Sequence, residues 1–151
     1  MADAPSFAAD NDRERERLRA LVETLGDDAL VVPVNEYWTV AGVFGHIAFW
    51  DARMLSLIEK FERGVAFSTS DTEPEDVDWI NDASRPLIHA IPPREVTRLA
   101  LEIAAETDAR VATVPADRLW PSDPASPLYG SRAVHRAEHL DEVQAALRAR
   151  G

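Results

Sequence analysis

The strongest constraint on the fold is an apolar seam between positions 43 and 61. Its members recur at alternating steps of four and three residues: Val43, Ile47, Trp50, Met54, Leu57 and Phe61. This spacing places them on one face of a helix and is typical of helices that pack in bundles. Thr39 stands just before the seam and can cap such a helix. We therefore predict a long helix that begins after Thr39 and buries this face against other helices.

Two further segments show helical signals at both ends. Asn11, with Glu14 three positions later, has the arrangement of a capping box and predicts a helix that runs to about Leu25. Another helix is predicted to begin near Pro93 and to stop at Pro115. Its predicted inward face consists of Val96, Leu99, Ile103, Thr107, Val111 and Val114. Both segments add apolar faces that can pack on the seam.

The last helix is predicted to follow a proline-rich loop, with Ser126 as its cap and Pro127 in its first turn. Between the second and third long helices lies a long acidic crossing segment. Thr72 and Glu75 are predicted to cap a short helix there, which Pro86 should bend or end. We find no pair of strand signals. The sequence predicts an all-α four-helix bundle with a long crossover, folded as a single domain over residues 1–151.

Composition excludes several classes of function. The net charge of −11 is unsuited to tracking nucleic-acid phosphates or to binding an anionic membrane surface. The chain has no segment of the length needed to span a bilayer and no signal-peptide pattern, so we expect a cytoplasmic protein. It also contains no cysteine, which excludes disulfides, thiolate metal sites and a cysteine nucleophile. A soft-metal site in this chain must use histidines and carboxylates.

Three histidines are candidates for such a site. His135 and His139 are four residues apart in a segment with a helical pattern, so their rings share one face and can bind one metal ion. His46 lies at the edge of the apolar seam and is the best candidate for a third ligand. The alternative is that these rings merely pack in the bundle. His89 is interpreted as a packed or surface residue.

These residues carry a resemblance to a known family. Trp38-Thr39-Val40, His46, a long acidic crossing and then His135-x-x-x-His139-Leu140 resemble the DinB-like four-helix bundle superfamily over nearly the whole chain. That superfamily includes the N-terminal domains of mycothiol-dependent maleylpyruvate isomerases and related thiol-transferase proteins. The resemblance implies that His46, His135 and His139 bind a metal. The isomerases carry a further C-terminal domain and can have a carboxylate where His135 stands, so isomerase activity itself is less strongly implied.

The resemblance also implies a chemistry. Three neutral imidazoles leave coordination positions open on Zn²⁺ or Ni²⁺, as catalytic sites require. A low-molecular-weight thiol such as mycothiol or bacillithiol can bind there as thiolate and supply the nucleophile that a cysteine-free protein lacks. The expected activity is therefore a metal-dependent thiol S-transferase or isomerase acting on a small-molecule substrate.

Two other functions remain open from the sequence. His135-x-x-Glu138-His139 has the spacing of an inverted zincin, in which Glu138 would act as the base for hydrolysis. Glu138 directly precedes His139, however, and therefore points about 100 degrees away from that ring on a helix. The third possibility is a bundle that binds a metal or small ligand without catalysis.

Three residues close in sequence to the histidines have more than one interpretation. Arg132 and Tyr129 can reach an anionic or polar substrate, although solvation at the surface is the simpler interpretation for Arg132. Asp51 either orients a histidine or pairs with an arginine at the surface. The tryptophans offer more aromatic surface than one small core needs, which predicts a homodimer. They are Trp38, Trp50, Trp79 and Trp120.

Overall fold

The computed structural model describes residues 7–72 and 77–151. The helices are α1 (Phe7–Thr24), α2 (Asp27–Leu30), α3 (Val40–Glu62), α4 (Thr69–Thr72), α5 (Val77–Ala90), α6 (Pro93–Val111) and α7 (Ala133–Arg150). A 3₁₀ turn at Ala116–Arg118 precedes α7. Across the described ranges there is no strand, and the predicted all-α class is confirmed. None of these helices combines the length and the apolar character that a bilayer crossing requires.

The four longest helices pack together. Helices α1 and α3 each contact both α6 and α7, with the α3–α6 contact the most extensive, while α5 packs on the outside of α3. The predicted seam faces this interior: Val43, Ile47, Met54 and Leu57 are buried. The Thr39 hydroxyl accepts a hydrogen bond from the Gly42 amide at 3.0 Å, which confirms the predicted cap of α3.

The interior contains two apolar clusters. The first is built around the beginning of α3 and the middle of α6, and includes Phe44, Ile47 and Ala100. The second lies around the later half of α3 and the end of α6, and includes Met54 and Val111. On α3 and α6 the buried residues between the two clusters are polar: Asp51, Thr107 and Asp108. A polar layer therefore divides the core.

Two glycines of α3 allow α5 to approach closely. A Cβ atom added at Gly42 would lie 2.4 Å from His89 Nε2, and one added at Gly45 would lie 2.4 Å from Ile88 Cγ2. At Gly45 the obstacle is a branched side chain close to the α5 backbone, so a larger residue there would push α5 away, whereas at Gly42 the His89 ring would have to move. These two glycines therefore permit α5 to come close to α3.

The predicted capping box at Asn11 is wrong. Helix α1 already begins at Phe7, and Asn11 lies inside it, buried against the start of α7. Its side-chain oxygen accepts hydrogen bonds from the backbone amides of Arg132 (2.7 Å) and Ala133 (3.0 Å), and its amide nitrogen donates to the Gly130 carbonyl (2.8 Å). Asn11 thus satisfies free amides at the N-terminus of a different helix.

The predicted start of the last helix at Ser126 is also wrong. Helix α7 begins at Ala133, and the Ser126 hydroxyl instead donates to the Arg118 carbonyl (2.6 Å) and accepts from the Leu128 amide (3.1 Å). Ser126 therefore stabilises the loop before α7. The loop is longer than expected, and the amides at the start of α7 are bound by Asn11 of α1.

The remaining helix predictions have mixed outcomes. Helix α6 begins at Pro93 as predicted but ends at Val111, before Val114 and Pro115. Pro86 does not end α5, which continues to Ala90. The predicted cap pairing of Thr72 with Glu75 includes a position outside the described residues.

Candidate metal centre

Two helices bring the three predicted histidines together. His46 lies on α3, and His135 and His139 lie one turn apart on α7. Each ring offers one nitrogen, and these nitrogens all lie within 4.8 Å of one another. The centroid of the His46 ring is 5.2 Å from that of His135 and 4.7 Å from that of His139. The packing of α3 against α7 therefore creates one compact group from residues far apart in sequence.

The surroundings of these rings favour their neutral form. Burial is the main cause that lowers the pKa of His46 to about 4, with further contributions from His139 and Arg85. Burial also lowers the pKa of His135 to about 3, assisted by His139, His46, Arg132 and Arg136. Both rings are therefore neutral at physiological pH. A neutral imidazole has a free lone pair, which is the form that binds a metal.

The hydrogen bonds of the histidines are incomplete among the described residues. The Nδ1 atoms of His46 and His135 are buried and have no hydrogen-bond partner there. The Nδ1 atom of His139 lies 3.4 Å from a carboxylate oxygen of Glu142, one turn further along α7. Buried nitrogens without partners are unfavourable, because the ring has lost its hydrogen bonds to water.

This donor set fits a divalent metal ion. Three neutral imidazole nitrogens are typical ligands of Zn²⁺ and Ni²⁺, and they leave positions for a further ligand. If the ion binds Nε2 of His139, then Nδ1 of that ring carries the proton and donates to Glu142, as carboxylates commonly do behind a metal-bound histidine. His46 and His135 have no such partner. A metal bond would satisfy one nitrogen of each ring.

A cavity of about 440 Å³ opens beside the histidines. Besides the three rings, its described lining comprises Trp50, Val77, Asn81 and Arg132. The Trp50 indole N–H donates to the Asn81 side-chain oxygen at 2.9 Å, and this bond holds α5 against α3 at the cavity wall. The wall thus combines an aromatic and an aliphatic surface with an amide and a guanidinium. Such a mixture is typical of small-molecule sites.

Next to the cavity lies a buried network of ion pairs. Asp51 on α3 accepts hydrogen bonds from Arg132 Nε (2.9 Å) and from Arg136 Nη2 (3.0 Å). The guanidinium of Arg136 is fully buried and also donates to both carboxylate oxygens of Asp108 at 2.8 Å. Arg15 on α1 reaches the same carboxylate at 2.6 Å. These bonds join α1, α3, α6 and α7 at the level of the histidines.

The network corrects two expectations. Asp51 was expected to orient a histidine or to pair at the surface, but it is completely buried and pairs with two arginines. Arg132 is not solvated at the surface: its side chain retains only 10% of its exposure and lines the cavity. The sequence thus identified Asp51 and Arg132 as residues of interest near the histidines, but it did not reveal that they pair with each other.

The other candidates lie away from the cavity. His89 is exposed, contacts the Trp38 ring and is not part of the histidine group. This agrees with its interpretation from the sequence as a packed or surface residue. Tyr129 is 40% exposed and its ring contacts Trp120. Glu138 is exposed and does not line the cavity, so the geometry gives no support to its role as a hydrolytic base.

Sequence reasoning missed Glu142 and Asn81. Glu142 stands three residues after His139, and that helical spacing alone was a usable signal for a carboxylate behind the ring. Asn81 gave no such signal, because its role depends on how α5 crosses α3.

Comparison with known proteins agrees with the structure. The sequence model of the DinB superfamily matches residues 11–150. This range includes His46, His135 and His139 and all of the described helices apart from the first four residues of α1. No curated protein and no solved structure matches the chain significantly.

Proposed function

We propose that this chain, which belongs to the DinB superfamily, binds one Zn²⁺ or Ni²⁺ ion through His46, His135 and His139 and acts as a thiol S-transferase or isomerase. A low-molecular-weight thiol, of the mycothiol or bacillithiol kind, would be its co-substrate. The observation that carries the proposal is the group of three histidines, two with buried unpartnered nitrogens, beside a cavity of ligand size.

The residues present have defined roles in this proposal. His46 and His135 hold the ion, and their low pKa values keep them available as ligands in neutral solution. Glu142 orients the ring of His139 by accepting a hydrogen bond from its Nδ1–H group. Trp50 and Val77 exclude water from one side of the cavity, which strengthens electrostatic interactions within it.

The absence of cysteine makes a thiol co-substrate chemically reasonable. The chain has no thiol of its own, so a sulfur nucleophile must enter the cavity as part of a small molecule. A divalent ion in this position lowers the pKa of a bound thiol and so supplies a thiolate near neutral pH. The cavity of about 440 Å³ has room for a small thiol together with part of a second substrate.

The first test is the metal content of protein purified without an affinity tag, measured by mass spectrometry. We expect near one Zn or Ni per wild-type chain and loss of this metal in His46→Ala and in the double variant His135→Ala/His139→Ala. His89→Ala is the matched control, because it removes a histidine outside the group and should retain the metal. Circular dichroism checks that all variants remain helical.

The second test addresses the thiol. Replacement of the native ion by Co²⁺ makes the site visible by absorption spectroscopy, and we expect a sulfur-to-metal band when a small thiol is added. Metal binding without this band would support the non-catalytic metal-binding alternative. No metal in the wild type, even after reconstitution, would contradict the enzyme proposal and leave histidines that only pack.

A further inference from the structure

Arg132 is the only cationic side chain among the described residues that line the cavity. It lies immediately before α7 and three positions before His135, so it occupies the same face of the chain as that ligand candidate. Its side chain is nine-tenths buried. Burial of a guanidinium is costly unless its donors find acceptors. The hydrogen bonds of Arg132 therefore indicate which of its donors are available to a ligand.

Only part of this guanidinium has an acceptor. Its Nε donates to Asp51 Oδ1 at 2.9 Å, while the other oxygen of Asp51 accepts from Arg136. In the described parts of the chain no residue accepts a hydrogen bond from the two terminal nitrogens of Arg132. The bond to Asp51 fixes the plane of the group, and its remaining donors form a fork that matches a carboxylate.

The charge around the cavity also favours an anion. The chain carries a net charge of −11, yet none of the described residues that line the cavity is acidic. Asp51 is shared between Arg132 and Arg136, and Asp108 is shared between Arg136 and Arg15. Arg15 also pairs with Asp12 on the outer side of α1, so Arg132 is the member of this network that faces the cavity. The N-terminus of α7, with its positive dipole end, lies at the same wall.

We propose that Arg132 binds the carboxylate of a small molecule whose other end occupies the metal site. This inference rests on the proposed function and narrows it, because it makes a carboxylate-bearing thiol or substrate the preferred ligand. Arg132 is then a specificity-determining residue, held in position by Asp51. A neutral ligand of the same size would leave the two terminal nitrogens unpaired.

The experiment uses two thiols that differ mainly at one end: mercaptoacetate, which carries a carboxylate, and 2-mercaptoethanol, which carries a hydroxyl. Their dissociation constants are measured on the Co²⁺-loaded protein through the sulfur-to-metal band. We expect wild type to prefer mercaptoacetate, and Arg132→Gln to reduce this preference about tenfold, as the loss of a charge-assisted hydrogen-bond pair predicts. Arg132→Lys keeps the charge but not the fork, and should retain part of the preference.

The control is Arg15→Gln, which removes one positive charge from the same ion network but does not line the cavity. The preference should stay within about twofold of wild type in this variant. An equal loss in Arg15→Gln and Arg132→Gln would assign the preference to general electrostatics and overturn the proposal. An unchanged preference in both Arg132 variants would overturn it as well, provided that they remain helical and metal-loaded.

A metal-free arm separates this inference from the proposed function. The side-chain nitrogen resonances of Arg132 are followed by NMR in the apo protein during titration with acetate, with acetamide as the neutral control. A shift with acetate alone supports the carboxylate site even if no metal binds. If neither acetate nor mercaptoacetate shows an effect that depends on Arg132, the inference is wrong, whatever the metal content.

Discussion

The ion network and the histidine group lie side by side where α3 packs against α7. They differ in how many of their polar atoms have a hydrogen-bond partner within the protein. In the ion network, Asp51 and Asp108 have arginine partners on both sides, and Arg136 places four hydrogen bonds on these two carboxylates. In the histidine group, the Nδ1 atoms of His46 and His135 have no partner among the described residues. Both groups draw residues from α3 and α7, and His135 is adjacent to Arg136 in the sequence, so general burial does not explain the difference.

The difference indicates separate roles. A group whose charges are all paired within the protein stabilises one arrangement of the helices, because any other arrangement leaves a charge buried and unpaired. A group with unpaired nitrogens gains stability only when something else binds. The first group thus holds α7 against α3, and the second uses that fixed geometry to present its nitrogens to a ligand.

The largest expected effect comes from breaking the network. Arg136→Met leaves Asp51 and Asp108 with only their second partners, and removal of one member of a buried ion pair typically costs about 3–5 kcal/mol. We expect a loss of this size in the free energy of unfolding, measured by urea denaturation followed by circular dichroism.

The control is Arg98→Met, which removes an arginine of similar connectivity on the protein surface. Arg98 pairs with Glu95 and Glu102 while half exposed, so its removal should lower the free energy of unfolding far less than Arg136→Met does. Similar losses for the two variants would show that the buried network has no special role in stability.

A smaller effect is expected from pH, and it concerns the histidines. In the unfolded metal-free chain both rings have a pKa near 6.5, whereas burial lowers the pKa of His46 to about 4 and that of His135 to about 3 in the folded protein. Below pH 6.5 the unfolded state therefore binds protons that the folded state does not. The stability is fully present above pH 6.5 and falls as the pH decreases toward these lower values.

The double variant His46→Phe/His135→Leu isolates this contribution. Between about pH 7 and about pH 5, metal-free wild type should lose about 3–4 kcal/mol through these two rings, a little under about 2 kcal/mol for each ring, and the variant should lose less than half of the wild-type amount. At neutral pH the variant should be about as stable as wild type, since it removes unpaired nitrogens from the interior. Equal pH dependence in both proteins would contradict the assigned pKa shifts. Urea midpoints at the two pH values provide the measurement.

The smallest effect on stability is expected at Glu142. A substitution there should change ligand binding by the histidine group and leave the stability that the ion network provides unchanged. Its side chain is 41% exposed and contacts only the His139 ring among the bonds described above, so Glu142→Gln should leave the free energy of unfolding nearly unchanged. The metal affinity should nevertheless fall about tenfold, as is usual when a carboxylate behind a metal-bound histidine is removed. Competition with a chromophoric chelator measures it. Unchanged affinity would mean that Glu142 does not orient His139.

Local sequence signals predicted much of the fold and of the histidine group. The seam of α3 and its cap at Thr39 depend on residues within a few turns, and so does the spacing of His135 and His139. His46 could be added because an imidazole at the edge of an apolar face requires a partner. These inferences needed no knowledge of which helices are neighbours.

The failures at Asn11, Asp51 and Arg132 share a physical cause, because each depended on a contact between distant segments. Asn11 has the composition of a local cap, but its hydrogen bonds go to α7. Asp51 and Arg132 show no helical spacing that would reveal their pairing, since one lies on α3 and the other precedes α7. Pro86 is tolerated within α5, although its sequence signal favours a bend or an end.

The cap that Asn11 places on α7 makes the centre sensitive to changes at the opposite end of the chain. Three hydrogen bonds from one α1 side chain fix residues 130 to 133, directly before the first histidine of α7. A fusion, tag or deletion that disturbs α1 would therefore loosen the α7 side of the histidine group without altering any of the three histidines. For anyone who redesigns or trims this protein, the first helix belongs to the working part of the molecule.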